Sequence, residues 1–160
     1  MMPQGFESDE KSWPRDGEID IMEHMYSNQD NQIQSTVHYG NDYENHKYKY
    51  AIETVPQNVN FVDKFHSITF KWMNNKLEFY LDTFEQPFHF LDYSTDQDFS
   101  NGTYWPFNEP FYLIMNVAVG GTNGGFIDNS KYCQDAECSN LADPDKGRLL
   151  IDYIEVKNIN

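Results

Sequence analysis

Side chains alternate in character at every second position between Phe65 and Trp72: His66, Ile68, Phe70 and Trp72 fall on one face, Ser67, Thr69 and Lys71 on the other. That period belongs to a half-buried strand. Asn74 and Asn75 follow as a turn signal, and Leu77, Phe79 and Leu81 then alternate with Glu78, Tyr80 and Asp82, so a β-hairpin is predicted. Gln34–Tyr39 and Tyr48–Glu53 are further strand candidates. The unbroken apolar run Phe111–Val119 reads as a strand buried on both faces. Arg148–Lys157 alternates Leu149, Ile151 and Tyr153 against Leu150, Asp152 and Ile154, a strand with no clean polar face. Long loops rich in Asn, Asp, Gly and Ser separate these runs at Asn41–Lys47, Ser94–Asn108 and Gly120–Gly147. With no long 3.6-residue period, no internal repeat and no linker, the pattern predicts one all-β domain, a sandwich that presents binding residues on its sheets and rim.

Charge narrows the partners. Against 26 acidic side chains stand 11 basic ones, a formal charge of −15, so nucleic acid and anionic membrane surfaces are disfavoured. No apolar stretch approaches the ~18 residues of a membrane-spanning helix, and the first thirty positions carry too many Glu, Asp and Pro for a signal peptide. Aromatic residues make up 16% of the chain, a content that suits strands and also sugar-stacking surfaces. Cys133 and Cys138 are spaced for a small disulfide or remain two free thiols; the further ligands of a zinc site are absent nearby.

The informative segment runs from Trp13 to Glu23, WPRDGEIDIME. Acidic residues are depleted in strands, yet Glu18, Asp20 and Glu23 interrupt an apolar strand whose Ile19 and Ile21 face the other way. Simple alternation would turn Glu23 away from Glu18 and Asp20. One extra residue, a β-bulge around Ile21–Met22, returns it to their face, and bulges are frequent beside active sites. Two glutamates on one strand face fall in the range of about 5–5.5 Å that retaining glycoside hydrolysis requires, one as nucleophile and one as acid/base. Asp20 between them would share a proton or hydrogen bond with Glu18, and mutual repulsion would keep Glu23 protonated. A solvated acidic strand face or a cation site built of clustered oxygens is the competing reading.

These residues resemble the catalytic signature of glycoside hydrolase family 16, in the bulged Glu-x-Asp-x-x-Glu form of its laminarinase-like members. The resemblance extends through Ser35–Gly40, the hairpin FHSITFKWMNNKLEFYLD, the segment Trp105–Gly121 and the closing run Leu149–Val156. It implies a concanavalin A-like jelly roll, two antiparallel sheets with a sugar cleft on the concave face. It further implies Glu18 as nucleophile, Asp20 as assisting carboxylate and Glu23 as general acid/base. Trp13 matches a Trp expected to line the cleft, with a place in the core as the alternative. His38 would contact a sugar hydroxyl or Glu23, or serve as a structural histidine. Asn116, a polar residue in an apolar strand, is a candidate sugar contact. Trp105 is a candidate subsite platform or loop anchor. Asp152 matches a calcium-holding position of some members, although its companion ligands cannot be found here; no other cofactor is implied.

The family's motif falls near mid-domain, whereas here it begins at position 13, so residues 1–160 are expected to be the C-terminal two-thirds of the domain, lacking N-terminal strands and exposing apolar edges. The implied activity is retaining endo-hydrolysis of β-1,3-glucan or mixed-linkage β-glucan, by a monomer. GGTNGGFIDN, from Gly120 to Asn129, resembles instead the branch containing β-1,3-glucan recognition proteins of innate immunity, which makes a non-catalytic glucan receptor the alternative, and an inactive fragment a third. Family resemblance, the Asn101-Gly-Thr glycosylation sequon and the two cysteines suggest secretion, with the signal peptide upstream of Met1.

Overall fold

The computed structural model describes residues 1–6, 12–25, 31–55, 61, 64–121, 125–126 and 149–158. The elements run β1 (Met2–Pro3), β2 (Glu18–Glu23), β3 (Gln32–Tyr39), β4 (Lys47–Thr54), β5 (Ile68–Met73), β6 (Lys76–Leu81), β7 (His89–Asp92), α1 (Gln97–Ser100) and β8 (Phe111–Tyr112). Among the described residues the pairings are antiparallel: β2-β3-β4 and β5-β6-β7 are three-stranded sheets, and β1 pairs with β8. The predicted hairpin is β5–β6, with Met73 opposite Lys76 across Asn74–Asn75. Its inward side chains Leu77 and Phe79 are fully buried.

Alternation in β3 divides the structure into a core side and a site side. Ile33, Ser35, Val37 and Tyr39 are each 0% exposed on one face, while Gln34, Thr36 and His38 occupy the other. Ile19, Val37 and Tyr39 meet Leu77, Phe79 and Leu91 of the second sheet in one core, completed by Phe99, Trp105 and Phe107. Each such side chain contributes roughly 1.5–3 kcal/mol by leaving water. Ser35 Oγ and His89 Nδ1, 2.6 Å apart, bridge β3 to β7 inside this core. At its edge Tyr39 donates its hydroxyl to Asp98 (2.9 Å), and Lys47 and Lys49 pair with Asp98 and Asp96 (2.6 and 3.1 Å). These contacts hold α1, whose N-cap Asp96 accepts from the Asp98 amide, against β3 and β4. The segment read as the loop Ser94–Asn108 therefore contains a helical turn and a large share of the core.

Two strand expectations are corrected. Of Phe111–Val119 only Phe111–Tyr112 forms a strand, and the described part of Arg148–Lys157 forms none. Leu113, Ile114, Met115, Val117 and Val119 are close to half exposed, and Leu150, Tyr153 and Val156 more so. An apolar run becomes a strand only when a neighbour takes up its N–H and C=O groups, and among the described residues none does so here. The chain divides into two compact units, Met1–Ile114 and Met115–Asn160. No helix among the described residues is long and apolar enough to cross a membrane.

Candidate active site

The bulge lies where the acidic spacing requires it. Glu18 pairs with His38, Asp20 with Thr36, and Glu23 with Gln34, so three steps along β2 match two along β3. His38, Thr36 and Gln34 are alternate residues of one strand face; the three acidic side chains therefore share that face. Ile19, wholly buried, points to the core instead. Gly17 sets the entry to the strand. Its φ is +83°, and a Cβ there would lie 2.8 Å from Pro106 Cγ and 3.0 Å from Phe107 Cε1, so only glycine fits before Glu18.

Each glutamate is held by a neutral donor. The Trp13 indole N–H donates to Glu18 Oε2 (2.8 Å), placing the half-buried Trp13 directly beside the carboxylates. Thr36 Oγ1 donates to Glu23 Oε2 (3.1 Å) and accepts from Gln34 Nε2 (2.9 Å). His38 Nε2 lies 3.3 Å from Asp20 Oδ2, so its partner is the central aspartate rather than Glu23. On its other side His38 Nδ1 is 2.9 Å from His46 Nε2, and the two imidazoles stack at 5.1 Å.

Electrostatics follow from this crowding. Burial, then the Asp20 charge, raises the pKa of both Glu18 and Glu23; the Trp13 and Thr36 hydrogen bonds and the His38 charge pull the other way. For His38, burial opposes the proton, but the Asp20 hydrogen bond and the charges of Asp20, Glu18 and Glu23 outweigh it and raise the pKa. His46 is lowered by burial and by the neighbouring His38. A protonated His38 donating to a neutral His46 on one side and to Asp20 on the other satisfies both shifts. Carboxyls whose hold on a proton is strengthened by burial and a neighbouring charge suit acid/base chemistry on an oxygen leaving group. One ligand atom from each of Glu18, Asp20 and His38 lies within 4.8 Å of the others, close enough for a single cation. Two of these groups already have partners: the Trp13 indole donates to Glu18, and His38 Nε2 is turned to Asp20.

Trp105 lies in the core of the first unit. Trp105 is 7% exposed and cannot serve as a sugar platform: its indole donates to the Asn74 carbonyl (3.1 Å), and Phe99 and Phe107 meet it edge-on at 4.8 and 5.0 Å. Of the two readings of that residue, the anchor is the one its packing matches. Asn116 and Asp152 lie exposed and outside strands in the second unit, so Asn116 is not the buried strand amide expected. Asn101 is exposed at the end of α1, and Cys133 and Cys138 lie outside the described residues. Sequence reasoning missed Thr36, Gln34 and His46, and also Tyr48 and Tyr50, which β4 sets on the site face opposite His38 and Thr36. The alternation Tyr48, Tyr50, Ile52 was the available signal.

The chain is 35% identical over 137 residues to a β-1,3-glucan-binding protein of Penaeus monodon, covering 72% of this chain and 36% of that protein. A β-glucanase of Rhodothermus marinus is 31% identical over 165 residues (90% and 45%), and a glucan endo-1,3-β-glucosidase of Cryptopygus antarcticus 34% over 127 residues (76% and 43%). The chain thus spans less than half the length of each of these relatives. Residues 5–153 match the sequence profile of Glycosyl hydrolases family 16, and the chain belongs to that family.

Proposed function

We propose that this protein hydrolyses β-1,3-glucan or mixed-linkage β-glucan with retention of anomeric configuration. The observation that carries the reading is the bulged pairing of β2 with β3, which gathers Glu18, Asp20 and Glu23 on one face with a donor on each glutamate. Glu18 attacks the anomeric carbon while Glu23, its proton retained by burial and by the Asp20 charge, protonates the departing glycosidic oxygen. Glu23, now a carboxylate, then takes a proton from water as that water cleaves the glycosyl–Glu18 ester. Asp20, anchored by His38, lies between the two glutamates on the same strand face. Trp13 fits beneath a glucose ring with its N–H on the nucleophile.

Reducing ends released from laminarin by the purified protein, and lost on Glu18→Gln, are the expected result; equal turnover by both proteins would remove Glu18 from the mechanism. A second reading, binding without cleavage, is favoured by the glucan-binding relative from Penaeus monodon. It requires saturable glucan binding with no product after prolonged incubation. Secretion is proposed on the exposed Asn101 sequon and is tested by glycosidase-sensitive mass at that residue.

A further inference from the structure

The site face continues beyond the carboxylates. In register, β2, β3 and β4 present the rows Glu18–His38–Tyr48, Asp20–Thr36–Tyr50 and Glu23–Gln34–Ile52. Tyr48 and Tyr50 are 56% and 55% exposed, with rings stacked at 6.1 Å and 28°. They continue a line of neighbouring rings: Tyr48 meets His46 at 5.7 Å, and His46 meets Trp13, whose indole donates to Glu18, at 4.6 Å. Single exposed aromatics are ordinary on a strand. Two alternate ones on the same face, linked through His46 to the Trp that bonds a site carboxylate, make a continuous surface.

We propose that Tyr48 and Tyr50 form a distal subsite that stacks the pyranose rings of a neutral glucan chain crossing the sheet from Glu18 toward β4. Two strand spacings, about 9–10 Å, separate β2 from β4. The tyrosines are therefore too far to touch the bond held between the carboxylates, but lie where sugars further along the same chain would pass. The ligand is uncharged because the neighbouring face is rich in carboxylates, while the lysines of β4 that the structure pairs, Lys47 and Lys49, are engaged with Asp98 and Asp96. Flat rings with hydroxyls at the rim match a sugar's apolar face and its equatorial hydroxyl edge. The proposal rests on the glucan reading above and specifies where the chain lies.

The test measures laminarihexaose affinity by calorimetry for the wild-type protein and for paired substitutions at Tyr48 and Tyr50, with circular dichroism reporting the fold. Tyr48→Leu/Tyr50→Leu, which keeps strand-compatible bulk but removes the flat rings, is expected to weaken binding by about tenfold or more, whereas Tyr48→Phe/Tyr50→Phe stays within about threefold. The Tyr48→Ala/Tyr50→Ala pair follows the Leu pair. Wild-type binding with an unchanged affinity in the Leu pair overturns the subsite and leaves the glucan reading standing. A Phe pair as weak as the Leu pair overturns stacking as its basis. No wild-type binding overturns both readings, and self-association abolished by the Leu pair with glucan affinity intact assigns the surface to a second copy instead.

Discussion

Replacing His89 with Gln removes a titratable group from the middle of the core while leaving an amide that can still reach Ser35. In the folded protein His89 is 6% exposed, lies on the Phe79 ring (centroids 5.0 Å) and meets Ser35 Oγ at 2.6 Å. Burial lowers its pKa from 6.5 to about 4. Between those values the unfolded chain takes up a proton that the folded core refuses, so stability is whole above the upper value and drains away as pH falls toward the lower one. At ~1.4 kcal/mol per pH unit this single group costs about 3 kcal/mol over the window. Glu18 and Glu23, whose pKa values are raised, act in the opposite sense: acidification through their titration favours the folded state. They lie on the other face of the β2–β3 sheet from Ser35, so their contribution cancels when wild type and variant are subtracted. Urea unfolding of wild type and His89→Gln, followed from pH 7 to about pH 4.5, should show the wild-type advantage shrinking by roughly 2–3 kcal/mol. Parallel stability profiles would refute the claim that burial holds this imidazole neutral.

Three further outcomes are expected. Gly17→Ala, forced into positive φ with its Cβ against Pro106, should lower stability by about 1–3 kcal/mol in thermal unfolding and displace Glu18. Thr36→Val deletes the donor to Glu23 and so raises that carboxyl's pKa further; carbon-detected NMR titration should show the upward move, and the alkaline limb of any laminarin-cleavage profile should follow it. Trp105→Ala should destabilise by about 3–5 kcal/mol, as expected for a core anchor, with no selective effect on glucan affinity when measured under conditions where the variant remains folded.

Local features of the chain that create a strong, short-range constraint were readable in advance. The hairpin followed from alternation on both sides of Asn74–Asn75, and its register was confirmed by Met73 opposite Lys76. The bulge followed from acidic residues at 18, 20 and 23, because only an added residue brings all three to one face. His89–Asp92 and the turn Gln97–Ser100 were not identified, since four residues carry too little periodicity to separate strand or helix from loop. Trp105 shows the same gap for function: an aromatic beside Pro in a polar segment reads alike whether it faces sugar or core, and Phe99, Phe107 and the Asn74 carbonyl decided the matter.

Periodicity and side-chain chemistry in the linear chain thus determined the strand type, the shared face of the carboxylates and the class of reaction worth testing, because each depends on residues within a few positions of one another. Tertiary structure decided which donor serves which acid, that Asp20 rather than Glu23 takes His38, and that His46, Tyr48 and Tyr50 extend the face. It also ended the strand at Tyr112 in a run whose apolar pattern continues to Val119. These outcomes turn on partners distant in sequence: a strand exists only through the neighbour that completes its ladder, and a carboxyl's proton affinity is set by the burial and charge that folding brings around it.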